Sequence, residues 1–166
     1  QVIGPLVPAK VNEQNLAIGN KVYQDILGFQ PIIAYVNEQA YSQSLIAHYL
    51  GAGYKAIIAE WNNAQRFHPD WKRNWQYYPQ LAVDQQGKRL PVIWNNSIAF
   101  QKFQRQAHGD TDLKEYLAYI KAQVGSAARF FSIYGNDAEI FDFRPGRYKQ
   151  EAVFNKEGEW KRIKKL

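Results

Sequence analysis

Apolar runs in this chain alternate with polar clusters and with stretches of helical spacing. "PIIAYV" (31–36) is β-branched, begins at Pro31 and ends in Asn37-Glu38-Gln39. Ser42 can then cap a helix carrying Leu45, Ile46, Tyr49 and Leu50 on one face, with Gly51 and Gly53 as the stop. "YKAIIA" (54–59) is the next strand and ends in Glu60-Trp61-Asn62-Asn63. The ring-rich stretch "AQRFHPDWKRNWQYYPQ" reads as a long irregular loop, having too much Pro and aromatic content for a regular element. "LPVIW" (90–94) gives a third strand, ending in Asn95-Asn96, with Ser97 as cap of the following helix "IAFQKFQRQA". A helix over 112–124 presents Leu113, Tyr116, Leu117, Ile120 and Val124 on one face and stops at Gly125. "RFFSIY" (129–134) is the fourth strand, and 12–27 forms an upstream helix with Leu16, Val22, Tyr23, Ile26 and Leu27, closed by Gly28.

Near-continuous apolar strands alternating with helices predict an α/β fold, a mainly parallel sheet covered by helices. Four such units amount to about half of an eight-fold barrel, or to part of an open doubly wound sheet. The polar clusters are unevenly placed. Asn37/Glu38/Gln39, Glu60/Asn62/Asn63, Asn95/Asn96 and Asn136/Asp137/Glu139 all follow carboxyl ends of strands, the edge where such folds bind ligands. The opposite end has no comparable concentration.

Composition narrows the classes. The chain of 166 residues, 46 % hydrophobic, is expected to form a single domain over 1–166 with a real core. No run is apolar and long enough for a membrane span, and "QVIGPLVPAK" lacks the pattern of a secretory leader. The absence of Cys excludes disulfides and thiolate metal sites and fits a reducing compartment, so the cytoplasm is expected. With no Met at any position, the chain is expected to be a piece of a longer protein. Its +6 charge is concentrated: residues 144–166 hold eight Lys/Arg against three Glu, or +5. A basic terminus can bind nucleic acid, but a solvated helix face in "EWKRIKKL" accounts for it as well, so nucleic acid is not the expected partner.

Two carboxylates flanking a bond can hydrolyse a glycoside, one as nucleophile and one as acid/base. Glu38, Glu60, Asp137 and Glu139 are the candidates, and the surrounding amides, Trp and Tyr suit a neutral, hydroxyl-rich ligand. The plain alternative for each acid is an idle carboxylate near a helix start. His48, His68 and His108 are scattered without metal-ligand spacing, so no metal and no cofactor are expected; His68 fits a loop hydrogen bond and His108 a helix end. There is no Gly-x-Ser-x-Gly and no Gly-rich phosphate loop.

"AYVNEQAY" (34–41), followed by "LIAHYLGAGYKAII" (45–58), resembles the third motif region of glycoside hydrolase family 57. "YGNDAEIFDF" (134–143) is similar to its fourth region, an Asp-x-Glu stretch followed by an apolar residue and Phe, and "VIWNNSIAFQKFQRQAHGD" falls in the linking segment. The sequence departs from the family pattern at Val36, at Asn37, where Pro precedes the Glu, and at Asp142, where Gly is usual. The family's opening His-Gln-Pro strand and second motif are absent. The resemblance implies a partial (β/α)7 TIM-like barrel without its N-terminal strands, from a divergent branch. It implies retaining α-glycoside hydrolysis or glycosyl transfer on a poly- or oligosaccharide, with Glu38 as nucleophile and Asp137 as acid/base. Glu139 would position, with Glu60, Asn62, Asn95 and Asn136 holding hydroxyls and Trp61 and Trp94 stacking on sugar; Glu60 is the rival nucleophile. The alternatives are a non-catalytic carbohydrate-binding or scaffold fragment and a metal-dependent polysaccharide deacetylase. An incomplete barrel exposes a sheet edge, so self-association is also expected.

Overall fold

A computed structural model describes residues 2–127, 129–135 and 158–166. Two compact units divide it at Trp94/Asn95. In the first, helix α1 (Ala9–Leu27) precedes strand β1 (Ile33–Tyr35), helix α2 (Leu45–Gly51), strand β2 (Ala56–Glu60) and helix α3 (Trp61–Phe67). Strands β3 (Gln80–Val83) and β4 (Arg89–Asn95) complete a four-stranded sheet in the order β1-β2-β4-β3. β1 runs parallel to β2, pairing Ile33 with Ala56 and Tyr35 with Ile58, and β3 pairs antiparallel with β4. The fold is mixed α/β with a mostly parallel sheet, as the alternation of elements predicts.

The core of this unit lies where α2 covers the sheet. Val36, Ile46, Ile57 and Leu90 are fully buried there, beside Leu45, Tyr49 and Val92. Each such side chain contributes about 1.5–3 kcal/mol by leaving water. α1 departs from its predicted face. Leu16 meets the core, but Val22, Tyr23, Ile26 and Leu27 are exposed. Asn20 anchors the helix instead: its Nδ2 donates to the Ala52 carbonyl (2.9 Å) and its Oδ1 accepts from the Tyr54 hydroxyl (2.7 Å). Gly28 closes α1 at φ 75°, a left-handed turn that suits a residue without Cβ.

The stretch 64–80, predicted as an irregular loop, holds the end of α3 and a 3-10 turn over Arg73–Tyr77, and β3 begins at its last residue. The β3–β4 hairpin turns through Asp84, whose Oδ1 accepts from the backbone N–H groups of Gln86 and Lys88, both at 2.8 Å. Gly87 there adopts φ 79°.

The second unit contains α4 (Ser97–His108), α5 (Leu113–Val124) and α6 (Glu159–Ile163). Asn96, not Ser97, caps α4, its Oδ1 accepting from Ile98 N (3.0 Å) and Ala99 N (3.1 Å). Asp112 caps α5 through Glu115 N (2.7 Å), and Gly125 ends it. Phe103, Ala107 and Tyr116 are buried together, with Ile163 of α6 against them. Burial pushes the Tyr116 hydroxyl up to about 12, which keeps it neutral at physiological pH. α6 is not simply a solvated basic face. Its buried Glu159 pairs with His108, and Arg162 Nη1 donates to the Ala107 carbonyl at 3.0 Å, while Lys161, Lys164 and Lys165 stay exposed. The predicted fourth strand over 129–134 reduces to a single parallel bridge, Ser132 to Asn95.

Candidate active site

Each chemical candidate stands where a strand ends. After β1, Val36 continues the pairing by donating to the Ile58 carbonyl (3.0 Å). The chain then makes a tight 3-10 turn over Asn37–Gln39. Glu38 (φ 51°, ψ 18°) and Gln39 (φ 55°) are both left-handed, the positive-φ positions among described residues not occupied by glycine. This conformation crowds Cβ against the following carbonyl and costs roughly 1–2 kcal/mol per residue. The surroundings hold it in place. Asn37 Nδ2 donates to the Val2 carbonyl (2.8 Å), and the N–H groups of Gln39 and Ala40 return to the carbonyls of Val36 and Asn37, each at 3.1 Å. The Glu38 carboxylate is therefore exposed at the end of a strand whose preceding residue is fully buried.

Glu60 ends β2 in a different way. It is buried, and its two carboxylate oxygens accept from Asn62 N (2.9 Å) and Asn63 N (2.5 Å), capping α3. The orphan N–H groups of a helix start make this the ordinary station of an acid. Asn62 is half-buried beside it, and Trp61 is 1 % exposed.

Trp61 and Trp94 do come together, ring centroids 5.2 Å apart and edge to face. A ring as buried as Trp61 backs its neighbour and has little face left to offer. Trp71 extends the group, lying 6.2 Å from Trp61, 6.0 Å from Trp94 and 6.0 Å from Trp75. His68 stacks on Trp71 at 4.3 Å with planes 7° apart, and the loop hydrogen bond expected there is present, the His68 carbonyl accepting from the Trp71 N–H at 3.0 Å. Trp71, Trp75 and His68 were hidden in the stretch read as irregular loop. The i,i+4 spacing of the two Trp was the available signal.

In the second unit, Asn95 is a tether. It is 2 % exposed, its Nδ2 donates to the Gly135 carbonyl (3.2 Å) and its Oδ1 accepts from Ser132 Oγ (3.3 Å). A Cβ at Gly135 would lie 2.7 Å from the Asn95 amide carbon, so only glycine allows this approach. Asn136, Asp137 and Glu139, with the Phe141 and Asp142 that follow them, lie outside the described residues. The three histidines keep separate company: His48 faces Glu13 at 3.6 Å, His68 stacks on Trp71, and His108 meets Glu159. No group of three or more potential metal-ligating side chains gathers among the described residues.

The family model described as glycosyl hydrolase family 57 matches residues 1–157. The chain belongs to glycosyl hydrolase family 57. No curated protein matches the sequence. Among solved structures, the fold is similar to that of a 4-α-glucanotransferase from Thermococcus litoralis, with a TM-score of 0.70 at 13 % identity. That similarity covers 97 % of this chain and 23 % of the glucanotransferase, so this family 57 chain spans about a quarter of its neighbour's length. Among the described residues no helix is long and apolar enough to cross a membrane.

Proposed function

We propose that residues 1–166 are a single-domain part of the catalytic (β/α)7 barrel of a retaining enzyme that hydrolyses or transfers α-glycosides. The observation that carries this reading is Glu38, an exposed carboxylate in a left-handed turn at the end of β1, within the segment that resembles the family's nucleophile motif. Backbone strain of this kind concentrates at functional sites, where the surrounding structure over-determines it. Glu60 is the weaker nucleophile, because both its oxygens already serve the start of α3.

In this mechanism the Glu38 carboxylate attacks the anomeric carbon while Asp137 protonates the departing glycosidic oxygen, leaving a covalent glycosyl-enzyme. Asp137, now ionised, takes the proton from water or from an acceptor sugar hydroxyl, and the incoming oxygen displaces Glu38. Glu139, Asn136 and Asn62 hold hydroxyls, Trp94 supplies a stacking face, and the buried Trp61 backs that ring edge to face. The name of the glucanotransferase neighbour favours an α-glucan as substrate. Absence of Cys is in keeping with a cytoplasmic setting, and a β1 edge that no further described strand pairs is in keeping with self-association.

The test is turnover of activated α-glycosides by the full-length protein. Glu38→Gln should lower kcat/KM by on the order of 10³-fold or more. Azide should restore turnover to Glu38→Gly by taking the place of the missing carboxylate. Wild-type rates in Glu38→Gln would remove Glu38 from the reaction.

A further inference from the structure

A cleft of about 440 Å³, lined mostly by polar residues, lies in the first unit. Ser42, Gln43, Ser44 and Ala47 form one side of it, and Asp84, Gln85 and Gln86 of the β3–β4 turn form the other. We propose that this cleft is a second carbohydrate-binding subsite, anchoring a glucan chain whose reacting end lies elsewhere. It rests on the carbohydrate reading above, and Glu38 is not among its lining residues.

Its size falls within the roughly 300–1,000 Å³ usual for small-molecule sites. Its walls are fixed before any ligand arrives. Gln43 Nε2 donates to the Val83 carbonyl at 2.7 Å, bracing the 42–44 segment against the hairpin. The turn is braced by the two N–H groups that Asp84 Oδ1 accepts and by the Asp84 N–H donated to the Lys88 carbonyl at 3.0 Å. Against these ties, the side-chain amides of Gln85 and Gln86 are exposed, and Gln43 donates to Val83 through Nε2, leaving Oε1 to accept. Ser42 and Ser44 share one hydrogen bond at 2.6 Å and keep further acceptor capacity.

The lining chooses the ligand class. Amides and hydroxyls both donate and accept, as a sugar's hydroxyls require of their partners. No Lys or Arg lines the cleft and Asp84 is its one charged lining group, so a phosphate or sulfate would meet repulsion. Ala47 is the one apolar residue of the lining, and the methylenes of Gln43, Gln85 and Gln86 give the C–H faces of a sugar ring a surface to cover. Tyr41, exposed at 41 %, stands by Asp84, and burial together with that carboxylate raises its pKa, so it keeps its proton and can donate.

Retardation of the full-length protein in native gels containing soluble starch reads this site, and turnover of a short aryl α-maltoside reads the catalytic one. Starch affinity should fall about tenfold in the Gln85→Ala/Gln86→Ala double variant, the equivalent of two or three net hydrogen bonds. Ala47→Phe, which fills the cleft, should do the same. Both variants should keep wild-type maltoside turnover and wild-type thermal midpoints. Starch binding within twofold of wild type in both variants overturns the cleft, as does a wild-type protein that cleaves the maltoside without being retarded. A wild-type protein that neither binds starch nor cleaves the maltoside overturns the carbohydrate reading and the cleft together.

Discussion

A carboxylate proposed as nucleophile has to stand clear of the strand that delivers it. At Glu38 and Gln39 the chain manages this with two successive left-handed residues, where a continuing strand would have turned alternate side chains back to the sheet faces. Glycine would take up this conformation without the Cβ penalty, so its absence from both positions is informative. Gln39 carries a second cost, because its buried Oε1 has no hydrogen-bond partner. Gln39→Gly removes both penalties and should raise the free energy of unfolding by about 1 kcal/mol or more, read by urea denaturation. The same change loosens the turn that aims Glu38 and should cut kcat/KM by about tenfold, in the manner of a small misplacement of a reacting group. A variant that is less stable than wild type would mean that the strain assigned to this turn is not there.

At the scale of elements, sequence periodicity carried far where burial was one-sided. The i,i+3,i+4 apolar spacing gave α4 and α5, Asp112 and Gly125 gave the ends of α5, and β-branched runs gave β1, β2 and β4. β3 was missed because "QLAV" is short and follows Pro79 in a stretch crowded with rings, although the Asp84–Gly87 turn behind it was visible. "RFFSIY" shows the opposite error. A short apolar run does not specify a strand unless a neighbour offers pairing, and here the pairing is one bridge at Ser132. In the candidate site, the strand-end position of Glu38 follows from its local pattern. Asn95 follows a strand and so invites the role of a ligand contact, whereas the structure buries it as a tether to Ser132 and Gly135, partners 37 and 40 residues further on that no local pattern reveals. That tether can be tested at Gly135, two positions before Asp137. Gly135→Ala puts a methyl within 2.7 Å of a buried, doubly bonded amide that has no room to yield. It should destabilise the second unit by about 1–3 kcal/mol, measured by thermal or chemical unfolding, and lower activity with it. Unchanged stability would show that Asn95 moves aside freely and is not a tether.

Among the described residues the first unit leaves a large share of its apolar side chains exposed. β1 is an edge of the sheet, with Ile33 and Tyr35 exposed on it among the described residues. The end of α1 and the segment after it add Ile26 at 74 % exposure, Leu27, Phe29 and Ile32. Scattered surface apolar residues are normal, but a run of them beside an open strand edge is a site for pairing with more chain. No Lys, Arg, Asp or Glu occurs between Gly28 and Asn37 to discourage that pairing, and residues 1–94 hold much of the apolar surface through which copies could meet. The +5 carried by residues 144–166 keeps like chains apart at low salt but is screened within about 8 Å at physiological ionic strength. Chain 1–166 on its own should therefore self-associate, with a sedimentation coefficient that rises with protein concentration and with salt. Ile26→Lys/Ile33→Lys puts a cation on the helix and another on the strand edge and should return the protein to a monomer with its circular dichroism unchanged. Since both positions are exposed, the double variant keeps the core of α2 and the sheet intact. A wild-type chain that sediments as a monomer across the micromolar range at physiological salt would show that this edge is already protected.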